Sequence, residues 1–306
     1  MRPAWSVVLF TTLAGAGQGL FLALAAVHGF GEAPERFLVA GALLAFALLA
    51  GGLAASFFHL GHPERAWRSA AMWRTSWLSR EVIVLPAFMA VVFAWGVSLY
   101  LGLSREATLG LAAVGTLLAV ALFVCTAMIY ACLRFLQEWH TPLTLVNYTA
   151  LGCASGLTAA AALAAWLHPP LAPSYAAAAL VAGALAYLMR LASLARNARL
   201  RPKSSLASAI GVKHPRIVQI AQGAMGGSFN TREFFHGRPR EVVRAVRWSF
   251  LALLFPVPAV LLVFFPQSLA MLATAFATQY AGLLAERWYF FAEAKHPQNL
   301  YYQAIA

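Results

Sequence analysis

Long uncharged runs alternate with short polar breaks along most of the chain, and this pattern predicts helices rather than strands. A helix that crosses a bilayer needs about 20 mainly apolar residues. Eight runs come close to that length: 5–27, 37–58, 82–101, 107–133, 145–167, 174–195, 248–265 and 268–291. The breaks carry stop signals. Gly29 and Gly31 end the first run, and His168, Pro169, Pro170 and Pro173 end the fifth. Proline lacks an N–H donor and disfavours helix in the residue before it. Pro266 and Gln267 make a tight turn between the last two runs. The expected fold is an all-α integral membrane protein, one domain of eight transmembrane helices over residues 1–306. The first run is preceded by a single Arg and shows no small-residue cleavage site before Glu32, so it reads as a retained helix rather than a removed signal peptide.

Composition agrees with that pattern. The chain is 61% hydrophobic and only 10% charged, whereas a soluble domain carries roughly 25% charged residues. Net charge is +12 and Asp is absent. In a soluble protein such a balance would raise nucleic acid as a partner; here the placement of charge points instead to the lipid bilayer. Eight spans put both termini on one face, and twenty of the 22 Lys and Arg then fall on that face, leaving Arg36 and Arg105 opposite. By the positive-inside rule both termini are cytoplasmic. One long basic cytoplasmic loop follows the sixth span, at about 196–247. Cys125, Cys132 and Cys153 lie in apolar spans without CxxC spacing and read as small core hydrophobes.

The polar chemistry is concentrated in residues 57–81, FFHLGHPERAWRSAAMWRTSWLSRE, which carry four Arg, two Glu, two His and three Trp between two apolar spans. Ionisable residues at membrane depth are functional candidates. Arg and Trp at such a place also serve as interfacial anchors, because their amphipathic shape suits the headgroup region. His59 stands where the second span ends and Glu81 where the third begins.

All eight histidines lie at span ends or in loops, so a haem held by two of them inside the bundle is not expected, and no cysteine pattern suits an iron–sulfur cluster. What remains is a belt at one depth: His59, Arg65, Trp77, Glu81, Tyr130, Arg134 and Arg287, with Arg80 and Glu138 beside it. Such a belt suits an amphipathic ligand whose head exchanges protons while its tail lies in lipid, as a quinone does. Histidine and carboxylate are suitable proton carriers. A transporter would place polar or broken-helix elements near the midplane, where this chain offers Gln18 and Gln279.

The run HLGHPERAWR followed by TSWLSRE resembles the membrane anchor subunit of the dimethyl sulfoxide reductase family, and ERWYFFAEAKH near the C-terminus extends the likeness. The resemblance implies a menaquinone or ubiquinone site near the face that docks a ferredoxin-like four-cluster iron–sulfur subunit, itself serving a molybdopterin catalytic subunit. It carries the quinone-site His to His59, the motif Arg to Arg65 and the acid to Glu81, with Arg287 a further match. MIYACLRFLQEWHTPLTLVNYT, GSFNTREFFHG and ERWYFFAEAKHPQNLYYQ are similar to the anchors of cytoplasmic sulfite-oxidising complexes. That branch implies quinone reduction in a bacterial inner membrane with the catalytic partners on the cytoplasmic side. A quinol-oxidising anchor of a dimethyl sulfoxide or polysulfide reductase is the alternative within the family.

The long loop admits two readings. As a solvated basic segment it would lie on anionic lipid. As a docking element, NTREFFHGRPRE would hold the iron–sulfur subunit through Phe229, Phe234 and Phe235, with Arg232 and Arg238 pairing to acids.

Overall fold

The computed structural model describes residues 1–221 and 233–301, and those residues form helices and connecting turns with no strand. The long helices are α1 (Trp5–Phe30), α2 (Glu35–Phe57), α3 (Trp77–Tyr100), α4 (Arg105–Ala131), α5 (Pro142–Leu167) and α6 (Ala172–Ala198), then α7 (Arg240–Leu254), α8 (Pro256–Phe264) and α9 (Leu269–Glu293).

Capping residues explain where several of these helices start. The Ser76 side chain accepts from the Ser79 N–H at 3.3 Å, so α3 begins at Trp77 and takes in five more residues, of which Ser79, Arg80 and Glu81 look too polar for a span. Ser104 caps α4 in the same way. Thr141 caps α5, with Pro142 at its first position, where a missing N–H costs nothing. The seventh run also starts earlier than its apolar stretch, at Arg240, and it breaks at Phe255 because Pro256 cannot donate to the preceding turn.

Among the described residues, seven helical segments are long and apolar enough to cross a membrane, with α7 and α8 together making the seventh. The eighth expected span, α9, falls outside that set although it has 25 residues. It carries Gln279, Glu286 and Arg287, and all three are buried against neighbouring helices rather than facing outward.

α1 forms the centre, packed on α2, α4, α5 and α9. Its crossing with α5 depends on Gly19, Gly152 and Gly156. A Cβ on Gly19 or Gly156 would collide with the opposing main chain, the close approach that small residues allow between helices in lipid. The Met1 main-chain nitrogen lies 2.8 Å from the Ala294 carbonyl oxygen, and the Arg2 N–H donates to the Glu233 carbonyl at 2.8 Å. The start of α1 and the end of α9 therefore meet at one end of the bundle, the terminal face. Residues 58–76 and 132–141 lie at the same end. Within the first of these, Pro63–Met72 forms a 3-10 helix with no buried residue. At the opposite end Arg36 donates to the Leu167 carbonyl at 3.3 Å and Arg105 to the His28 carbonyl at 3.4 Å.

Candidate functional site at the terminal face

Extending α3 back to Trp77 places Glu81 inside the helix, where it is 4% exposed. The Thr126 hydroxyl of α4 donates to Glu81 Oε1; Oε2 makes no hydrogen bond among the described residues. One turn beyond Thr126, Tyr130 lies within electrostatic reach of both Glu81 and Arg287. Its ring stacks on Tyr148 of α5 at 5.7 Å and meets Trp139, Phe290 and Phe291 edge-on. The Arg287 guanidinium sits over the Tyr148 ring at 3.7 Å, a geometry in which the ring face attracts the cation.

A buried ion network continues from there. Arg287 Nε is 3.3 Å from Glu286, whose other oxygen is 2.8 Å from Arg190 Nε of α6. Arg190 reaches towards Glu293 at 4.0 Å, and Asn197 donates to that carboxylate at 3.2 Å. Arg190 lies at a span end, where a long cation is expected to snorkel to the surface; instead it is 2% exposed. The reason is a carboxylate on the neighbouring helix, since a buried charge persists only when paired. Two enclosed cavities of about 10 Å3 each, the room of a single water, lie within this network. Towards the outside, an open pocket of about 350 Å3 is bounded by Glu138, Asn197, Lys203, Lys295 and His296 among others.

The seven residues of the expected belt fall into two groups. Glu81, Tyr130 and Arg287 share the buried cluster just described. His59, Arg65, Trp77 and Arg134 lie at the surface of the same end. Arg65 is exposed beside Glu64 at 3.7 Å, and Glu64 also pairs with His62 at 3.0 Å. Trp77 is half-buried under the Arg80 guanidinium at 4.2 Å, and Arg80 is held by the carbonyls of Trp73 and Arg74. His59 is exposed over much of its ring, yet shielding by the surrounding chain lowers its imidazole pKa below the ordinary value.

Of the docking residues, Phe229 and Arg232 lie outside the described residues. The Phe234 ring stacks on His296 at 3.7 Å, and its carbonyl accepts from Asn299 at 3.3 Å, so it is engaged within the chain. Burial lowers the pKa of His296. Phe235 is half-buried and Arg238 exposed. Cys125 is buried as expected; Cys132 is exposed, because it caps the end of α4 instead of lying inside it. Among the described residues no three His, Cys, Asp or Glu converge on a metal-sized site.

Sequence reasoning missed Tyr148, Arg190 and Glu286 as partners. The visible signal was three polar residues at the ends of α5, α6 and α9, and only packing shows that they meet.

The family model of the DMSO reductase anchor subunit (DmsC) matches residues 1–292. The chain belongs to that family. It is also 54% identical to a sulfite dehydrogenase subunit of Allochromatium vinosum, with 100% of each chain covered. The protein is thus a membrane-integral anchor subunit, and the HLGHPERAWR run and the buried Glu81 belong to one end of that anchor.

Proposed function

We propose that this anchor passes electrons from a partner iron–sulfur subunit to the membrane quinone pool during sulfite oxidation by a molybdopterin subunit. The observation that carries the reading is the buried Glu81, held through one oxygen by Thr126 at the same end as His59 and Arg65. The chain's likeness to a sulfite dehydrogenase subunit supports the direction and the substrate of the partner.

The donor set suits a quinone head, which presents two carbonyl oxygens and needs protons. Glu81 has one carboxyl oxygen with no hydrogen bond among the described residues, His59 an imidazole at the surface, and Arg65 a guanidinium close in sequence. The cavity beside Thr126 is the size of a water and not of a ring, so the head belongs on the outer side, where His59 and Trp77 lie. Quinone, when bound, supplies the two-electron acceptor. In this reading His59 and Glu81 hold and move its protons, Trp77 and Tyr130 exclude water, and Arg65, Arg134 and Arg287 orient polar groups by fixed charge. The anchor crosses the membrane eight times, α9 included, with its terminal face cytoplasmic, as the distribution of Lys and Arg supports. A ferredoxin-like four-cluster subunit docks on that face and the catalytic subunit beyond it.

His59→Ala should abolish turnover with quinone while the assembled complex still reduces a soluble dye acceptor. Normal quinone kinetics in that variant would remove His59 from the site. The family model is that of a DMSO reductase anchor, which favours a second reading in which the anchor oxidises quinol. Under it, the purified complex would reduce a sulfoxide with quinol and would not reduce quinone with sulfite.

A further inference from the structure

The two enclosed cavities share lining residues with each other, one of them shares lining residues with the open pocket, and Glu81 adjoins the other through Thr126. Glu138 and Asn197 bound the open pocket on the terminal face and also the first enclosed cavity. Tyr148 and Arg287 bound both the first cavity and the second. Thr126 bounds the second, and its hydroxyl donates to Glu81. Polar side chains lining adjoining cavities therefore lead from the open pocket towards the buried carboxyl.

Among the described residues, several acceptors along the series have no hydrogen-bond partner: Glu138 Oε2 and Asn147 Oδ1 at the first cavity, Gln18 Oε1 at the second. Gln18 is 1% exposed and Asn147 5%. Buried acceptors left over in water-sized polar cavities are the places where structural water is held.

We propose that Glu138, Tyr148 and Thr126, with one water in each cavity, form a proton conduit between the terminal face and Glu81. Its use rests on the quinone reading. Reducing one quinone takes two electrons from the iron–sulfur partner and two protons, and the conduit supplies those protons from the aqueous side. Each proton that reaches the Glu81 carboxylate is matched by one taken up at Glu138. In between, hydroxyls and waters exchange hydrogen bonds, so that no ion need travel the path. The guanidinium groups of Arg190 and Arg287 flank the path. They orient the waters and repel hydrated cations, and Glu286, paired to both, keeps them in place.

A cluster that only held helices together would have the same contacts, so the test must read proton movement. The complete membrane complex is transferred from H2O to D2O at a pH where Glu81 is protonated. The infrared carboxyl band lost in Glu81→Gln is then followed as it shifts. Tyr148→Phe and Glu138→Gln each remove one link and leave the side-chain volume nearly unchanged. We expect exchange of that band to slow by roughly tenfold or more in both, and imidazole in the buffer to restore part of the rate in Glu138→Gln. Exchange as fast as in the parent in both variants would overturn the conduit. This readout requires no quinone. If the quinone reading alone fails, Glu81→Gln leaves quinone turnover intact while the exchange result still decides the path.

Discussion

At the scale of single residues, His59 and Glu81 bracket the site but meet different surroundings. Glu81 is sealed by α3 and α4, whereas His59 remains at the surface with its pKa lowered by partial burial. A lowered imidazole pKa means that the neutral form is favoured, and that it persists to a pH below the ordinary value of about 6.5. If neutral His59 takes part in proton transfer, kcat/KM for quinone should hold steady at neutral pH and fall only on the acid side, with its midpoint below that ordinary value. In His59→Gln any residual quinone turnover should lack this acid limb, while sulfite oxidation with a dye acceptor keeps its own pH profile. A midpoint above the ordinary value would contradict the assignment.

At the scale of elements, the segment before the seventh span shapes the terminal face. α7 begins at Arg240 and is amphipathic, and the preceding residues fold back on the C-terminal segment through the Phe234–His296 stack. That stack takes Phe234 out of the set available to a partner and leaves Phe235 and Arg238 in the described part. We propose that the loop docks the iron–sulfur subunit, with Arg238 offering an exposed charge. Deleting residues 226–238 should release the catalytic subunits from washed membranes. Retention of those subunits with unchanged salt sensitivity would show that the loop binds lipid instead.

At the scale of the whole molecule, the ionisable side chains are divided between two ends. Those of the terminal face include the buried network around Arg190 and Arg287, and the opposite end holds His28, Arg36 and Arg105. Between the two ends, the described helices contain no Asp, Glu, Lys or Arg. A charge at the bilayer centre costs several kcal/mol, so a pump keeps one there only for use. We therefore expect electroneutral chemistry, with protons and electrons both entering from the terminal face. Sealed liposomes containing the complex, quinone and a potential-sensitive dye should show no membrane potential during turnover. A potential that rises with sulfite and collapses with a protonophore would refute this.

Chain order and composition alone were enough for the helical membrane class, the approximate positions of seven spans and the family motif, because uncharged runs of bilayer length have few other folds open to them. The position of Glu81 inside α3 was half-visible: Ser76 is a good cap, but Ser79, Arg80 and Glu81 at the start of a span look like loop until the cap is seen in place. Two things depended on tertiary structure. One was the fate of Arg190, which reads as a snorkelling cation and is instead buried, since whether a charge can be buried depends on a carboxylate 96 residues away at Glu286. The other was the division of the belt: Glu81, Tyr130 and Arg287 lie within long helices, where rotation turns them inward, whereas His59, Arg65 and Arg134 lie in the segments beyond the helix ends, at the surface. Rotation about the axis is set by packing, here by the glycine crossing of α1 and α5 and by the aromatic cluster around Tyr130.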